Sequence, residues 1–98
     1  MRDFVRGAVR LHVLHHAADD SGVHGAWLAE ELARHGYRIS PGTLYPALHR
    51  MQREGLLTSG QELVDGHVLR TYRITPAGRE VLAQGRAILA ELARELLG

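Results

Sequence analysis

From Asp3 to Ala18 the chain is apolar at Phe4, Val5, Ala8, Val9, Leu11, Val13, Leu14, Ala17 and Ala18. At 100° per residue these positions fall all round a helical wheel, apart from one side built by Arg2, Arg6 and Arg10. A helix that is apolar over most of its circumference has to be covered on more than one side. In so short a chain one cover is the domain's own core, and the second is expected to be a partner subunit.

Asp19-Asp20-Ser21-Gly22 is a loop by composition. A second helix is predicted from Gly25 to His35, with Leu28, Ala29 and Leu32 on one face and Glu30 paired with Arg34 at i,i+4. Gly36 stands where a helix-ending C′ residue belongs. Ser40 then reads as an N-cap and Pro41 as the first residue of a third helix, with Ile39 and Leu44 at the spacing of a hydrophobic staple. Leu44, Leu48 and Met51 form its packed stripe, and Gly55 ends it. Pro46 inside this helix removes the bond to the Gly42 carbonyl and is expected to bend it.

Asp65-Gly66 between two apolar runs predicts a two-residue hairpin turn. The turn sets a register that pairs Leu57 with Ile74, Ser59 with Tyr72 and Leu63 with Val68 on one face. Thr58, Glu62, Thr71 and Arg73 lie on the other, polar face, where Val64 and Leu69 fit poorly. Thr75-Pro76 repeats the cap-plus-proline start and opens a last helix that can run to Leu97. Leu82, Leu89 and Leu96 recur every seven residues with Gly85 and Leu92 between them, a short coiled-coil seam that Val81 and Ile88 widen. About 22 helical residues reach roughly 33 Å, too far to lie wholly on a three-helix core.

The order is helix, helix, turn, helix, hairpin, long helix. The fold class expected is mainly α with a small β-hairpin: a winged helix-turn-helix over residues 1–75, followed by a dimerisation helix over 76–98 that forms one compact unit with the first helix. Ninety-eight residues leave room for a single small domain, with oligomerisation a natural supplement to its core. The absence of cysteine excludes a disulfide scaffold and any Cys-based zinc site. No apolar run reaches the length of a membrane span or a signal peptide, so a cytoplasmic protein with no membrane partner is expected.

Net charge is only +1, yet its distribution is uneven. No acidic residue occurs between Leu32 and Arg53, a stretch holding Arg34, Arg38, Arg50 and Arg53. None occurs between Gly66 and Arg79, a stretch holding Arg70, Arg73 and Arg79. The third helix and the hairpin are therefore basic in a nearly neutral molecule, the footprint of a double-stranded DNA binder. Ser40, Thr43, Tyr45, Pro46, His49, Arg50 and Arg53 on the helix, with Arg70 and Arg73 on the wing, are the expected DNA-binding residues. Every basic residue is Arg, whose planar fork suits phosphates and base edges. The competing reading is a winged-helix module that binds protein rather than an operator.

Ser40-Pro-Gly-Thr-Leu-Tyr-Pro-Ala-Leu48, followed by Arg50-Met51 and Glu54-Gly-Leu-Leu57, resembles the recognition-helix signature of PadR-type transcriptional regulators. Arg70-Thr-Tyr-Arg-Ile-Thr75 with Gly78-Arg79 is similar to the same family's second wing strand and its junction to the last helix. The resemblance covers essentially the whole chain and is to the short subfamily with a single C-terminal helix. It implies a winged-helix homodimer that represses transcription at palindromic operators and is released by a small-molecule effector. It also implies that the C-terminal helix packs on the partner's first helix, which makes Phe4, Val5, Leu11, Leu82, Leu89, Leu92 and Leu96 the expected dimerisation residues. Where many members carry a Tyr after a Gly in the second helix, this chain has Gly25-Ala26-Trp27.

Family members often sense flat aromatic compounds, and Trp27, the single Trp, is the residue available to stack on one; packing between the second helix and its neighbours is the competing role. Seven histidines are an excess. His12 and His16 stand at a spacing that can chelate a metal, but no carboxylate or Cys pattern accompanies them, and no cofactor or metal is expected. His49 and His67 lie in DNA-facing elements, so binding is expected to weaken as pH rises. No nucleophile motif, phosphate-cradling loop or paired-carboxylate arrangement is present, and the chain is not expected to be an enzyme.

Overall fold

The computed structural model describes residues 1–98. In chain order the elements are α1 (Arg2–Ala17), β1 (Val23–His24), α2 (Gly25–Arg34), α3 (Pro41–Arg53), β2 (Leu57–Val64), β3 (His67–Ile74) and α4 (Pro76–Leu97). The one element that the sequence pattern does not predict is β1. Two residues are too short to show a period, yet Val23 and His24 pair with Tyr72 and Thr71, completing an antiparallel sheet of order β1-β3-β2. The architecture is a winged helix with a long C-terminal helix.

The helix boundaries follow from local chemistry. Gly36 at φ +89° and Gly55 at φ +80° adopt the left-handed conformation that ends α2 and α3. In both cases the chain closes with a double carbonyl clasp. Tyr37 N–H reaches the Leu32 carbonyl and Gly36 N–H the Ala33 carbonyl; Leu56 and Gly55 do the same to Met51 and Gln52. Thr75 caps α4 by accepting from the Gly78 amide at 3.0 Å. Ser40 occupies the corresponding position of α3 but does not cap it; its hydroxyl donates instead to the Thr43 hydroxyl at 3.3 Å. On α2 the carboxylate that meets Arg34 is Glu31, at i,i+3 and 3.3 Å, rather than Glu30. Glu31 is turned inward toward α1, which leaves Glu30 in solvent.

The hairpin register is the one the Asp65-Gly66 turn dictates, from Leu57 opposite Ile74 to Val64 opposite His67. The core occupies only its base. Leu57 and Tyr72 are buried there with Val23, whereas Leu63 and Val68 on the same face are 73% and 64% exposed. The cause is simple: the wing extends beyond the helices, so alternation at its tip no longer distinguishes inside from outside. On the opposite face His24 Nε2 lies 3.0 Å from Glu62 Oε1, tying β1 to β2 across β3 and covering Thr71, which is buried.

The core gathers Val9, Val13, Leu14 and Ala17 of α1, Leu28 and Leu32 of α2, the α3 stripe Leu44, Leu48 and Met51, the sheet residues above, and Leu82 of α4. α4 seats only its first turns. A Cβ on Gly78 would fall 2.3 Å from the Leu56 carbonyl oxygen and 2.7 Å from Ile74 Cγ1, and one on Gly85 would fall 2.4 Å from a Leu11 methyl. Both glycines are close-approach positions. Beyond them the seam residues Leu89, Leu92 and Leu96 are 45%, 39% and 70% exposed, as is Phe4 of α1 at 59%. Gly78→Ala is expected to cost about 1–3 kcal/mol of overpacking strain, read as a lower urea midpoint at unchanged slope; an unchanged midpoint would mean that α4 is not held this tightly.

Candidate nucleic-acid interface

The direction in which α3 presents its side chains is set by what it buries. Leu44, Leu48 and Met51 are essentially fully enclosed. At 100° per residue the opposite face is Gly42, Pro46, His49 and Arg53, and all four are exposed. Thr43 and Arg50 form one flank, leaning toward α1. Tyr45 and Gln52 form the other, toward the sheet. α3 runs unbroken through Pro46, whose ring lies on the solvent side, where water can serve the Gly42 carbonyl in place of the missing N–H.

Tyr45 is half-buried, packed against the start of α2: a Cβ on Gly25 would fall 3.0 Å from its ring and 3.2 Å from its hydroxyl. Its ring holds α3 against α2 rather than standing free at the surface. Gln52 anchors the wing, since its Oε1 accepts from the Ser59 hydroxyl at 3.0 Å and Ser59 Oγ in turn accepts from Arg70 at 3.2 Å. This chain of hydrogen bonds places the Arg70 guanidinium beside the C-terminal half of α3.

Arg73 does not join it. The register puts Arg70 opposite Gln61 and Arg73 opposite Thr58, on opposite faces of the sheet. The Arg73 guanidinium donates to the Ser21 carbonyl at 3.3 Å, beside the acidic loop Asp19-Asp20. The two wing arginines, close neighbours along the strand, therefore serve different surfaces. The exposed face of α3 carries Pro46, His49 and Arg53 with Ser40 at its start, Thr43 and Arg50 border it on the α1 side, and Arg70 borders it on the wing side. No side chain caps the first turn of α3, so the positive end of its peptide dipoles lies open.

The histidines form a separate cluster, on the side of α1 and α2. His16 and His35 Nε2 approach Glu31 Oε2 at 3.7 and 3.6 Å, and His12 lies between His35 and Tyr37, its ring centre 5.1 Å from each. No three His, Asp or Glu residues are arranged to hold a metal ion. Trp27 is half-exposed on α2, edge-on to His16 at 5.1 Å, and lines neither the α1–α3 nor the α1–α4 cleft.

The profile of the PadR-like transcriptional regulator family matches residues 13–84. The chain belongs to that family. Over all 98 of its residues it is 65% identical to the transcriptional regulator Rv3488 of Mycobacterium tuberculosis, covering 91% of that protein. Among solved structures it is similar to a PadR family transcriptional regulator from Eggerthella lenta, at 31% identity and a TM-score of 0.76, covering 97% of this chain and 86% of that one. A PadR-like transcriptional regulator from Bacillus cereus matches at 27% identity and a TM-score of 0.71, covering 98% and 93%. This PadR-family chain is thus a transcriptional regulator and not an enzyme, and none of its helices is long and apolar enough to cross a membrane.

Burial, then the charges of His35 and His15, hold the His12 imidazole below its ordinary pKa against the pull of Glu31. His16 is lowered by burial and by His15, again against Glu31. Below pH 6.5 the unfolded chain therefore binds more protons at these two sites than the folded one, and stability falls as pH falls through that range. The expected outcome is a lower Tm at pH 5.5 than at pH 7.5, with a steeper drop in Glu31→Gln, which loses the opposing carboxylate. A Tm that rises on acidification would contradict this assignment.

Proposed function

We propose that this PadR-family regulator is a homodimeric repressor that binds a palindromic operator in double-stranded DNA and is released by a small-molecule effector. α3 enters the major groove through Pro46, His49, Arg53 and the N-terminal residues Ser40 and Thr43, while Arg50 and Arg70 take flanking phosphates. The observation that carries this reading is the pose of α3. Its apolar stripe is locked in the core, and the face turned outward is basic and free of carboxylates from Leu32 to Arg53. Tyr45 contributes by holding the helix, and its hydroxyl edge is the part within reach of a backbone phosphate. Arg73 meets DNA only if its hydrogen bond to Ser21 opens.

Dimerisation is supported by the exposed apolar strip on α1 and α4. The cleft between these helices measures about 830 Å³ and is lined by Phe4, Leu11, Leu89 and Leu92. An apolar surface this continuous is what a monomer in water avoids. A second copy offering the same strip covers both, with Leu82 at its buried end and Leu96 beyond it, while Val5, expected to join them, opens on the α1–α3 cleft instead. For the effector, the exposed face of Trp27 offers a stacking surface for a flat aromatic compound.

Arg50→Ala with Arg53→Ala is expected to weaken operator binding at least about tenfold. The slope of log affinity against log salt should also shrink, by roughly 0.9 for each phosphate no longer neutralised. An unchanged affinity and slope in a mobility-shift salt series would remove α3 from the interface, and binding without any salt dependence would favour a protein partner. Leu89→Glu is expected to yield a folded monomer by analytical ultracentrifugation, because it places a charge in the seam. An intact dimer would show that copies associate through another face.

A further inference from the structure

Arg2, Arg6 and Arg10 follow one another at i,i+4 along the side of α1 that faces α3. The arrangement works against the helix that carries it. Like charges at this spacing repel, and cations in the opening turns oppose the peptide dipoles. Only Arg10 is relieved, by Glu54 at 3.0 Å. Arg2 and Arg6 make no ion pair with any element of the chain, and neither does Arg50 across the cleft. Asp3, the acid of the first turn, borders the α1–α4 cleft on the other side of the helix.

The cleft between α1 and α3 shows how these side chains are held. Its floor is built by Val5, Val9, Ile39 and Ala47, and Thr43 and Arg50 close it on the α3 side. Arginine stems lie along such apolar surface and leave their guanidinium groups in water. Arg2, Arg6 and Arg50 are all exposed, so three uncompensated heads stand on one rim and their fields add. That rim is continuous with the exposed face of α3, because Thr43 and Arg50 border both. α3 itself carries no carboxylate, and Glu54 beyond its end is paired with Arg10. A partner with many regularly spaced negative charges meets the whole rim at once. Arg2 and Arg6 stand about 6 Å apart along the helix axis, close enough for two long side chains to take neighbouring phosphates of one strand. An acidic protein would have to share this rim with the duplex held by α3.

We propose that α1 is a further DNA-contacting element. The strand that passes the α1 side of α3 leaves Arg50 and continues to Arg6 and Arg2, which hold two more phosphates. α1 thereby widens the footprint beyond the recognition helix and the wing, and adds affinity without reading sequence. The assignment rests on α3 as the DNA-binding helix.

The test is fluorescence anisotropy of the full chain over a salt series, on two duplexes of about three helical turns, one A·T-rich and one G·C-rich. Arg2→Gln with Arg6→Gln is expected to weaken both complexes at least about tenfold. The slope of log affinity against log salt should flatten by roughly 0.9 for each phosphate lost, or about 1.8 per chain. The Tm of this variant should be equal or slightly higher, since repulsion within α1 is relieved. Arg2→Lys with Arg6→Lys keeps both charges and should keep the slope, because a phosphate accepts an ammonium as a point charge. Arg94→Gln, at the far end of α4, should leave the slope unchanged. Unchanged affinity and slope in the Gln double variant, while the unsubstituted chain binds duplex, overturn the α1 contact and leave α3 standing. A loss confined to one duplex also overturns it, because phosphates carry no sequence information. So does an equal loss per charge from Arg94→Gln, since net charge alone then accounts for the effect. A chain that binds neither duplex removes the reading of α3 and this proposal together.

Discussion

The burial of Leu44, Leu48 and Met51 governs the molecule. Each fully enclosed side chain of this size contributes about 1.5–3 kcal/mol over its exposed state. Turning α3 by a single position would forfeit several kcal/mol, so its azimuth is tightly held. With one face committed to the core, the other is determined by the wheel: Pro46, His49 and Arg53 must point outward. Recognition chemistry is thus placed by packing that has no part in recognition. The same constraint carries the wing, because Gln52 on α3 holds Ser59, which in turn receives Arg70.

A chain of this size cannot surround every apolar residue it contains. α1 supplies the core with Val9, Val13, Leu14 and Ala17 and still carries Phe4 in solvent on its α4 side. α4 contributes Leu82 and then runs on for several turns with its seam uncovered. These two deficits lie side by side and face the same way, where Gly85 lets Leu11 approach α4 closely. The third side of α1, with its unpaired arginines, faces α3. One helix therefore borders the core, the apolar strip and the basic cleft, and a change at any of these surfaces acts on the helix shared by the others.

Much of this was legible in the chain. Turn chemistry at Asp65-Gly66 specified the full hairpin register, because a two-residue turn leaves one pairing. Glycines at 36 and 55 and the Thr75-Pro76 pair marked helix ends through conformations that few residues adopt. The heptad of α4 and the all-round apolar α1 announced surfaces in need of cover. The misses have a common origin. β1 is two residues long and exists because β3 offers an open edge, which no local pattern announces. Leu63 and Val68 alternate correctly but lie past the end of the core. Glu31 rather than Glu30 meets Arg34, because inward packing on α1 decides which carboxylate stays in solvent.

The charge pattern separates the two levels most clearly. The chain by itself determined that α3 and the wing are basic and free of acids, since that is a count along the sequence. It could not say which charges act together. Arg70 and Arg73 belong to one strand and one acid-free run, yet β-pleating sends them to opposite faces, one toward α3 and the other to the Ser21 carbonyl. Arg50 is far along the chain from Arg2 and Arg6, and only the packing of α1 on α3 brings all three round one cleft. Local hydrogen bonding and periodicity act over a few residues and can be read in order. Convergence of distant side chains depends on how finished elements pack, and the tertiary structure alone decides it.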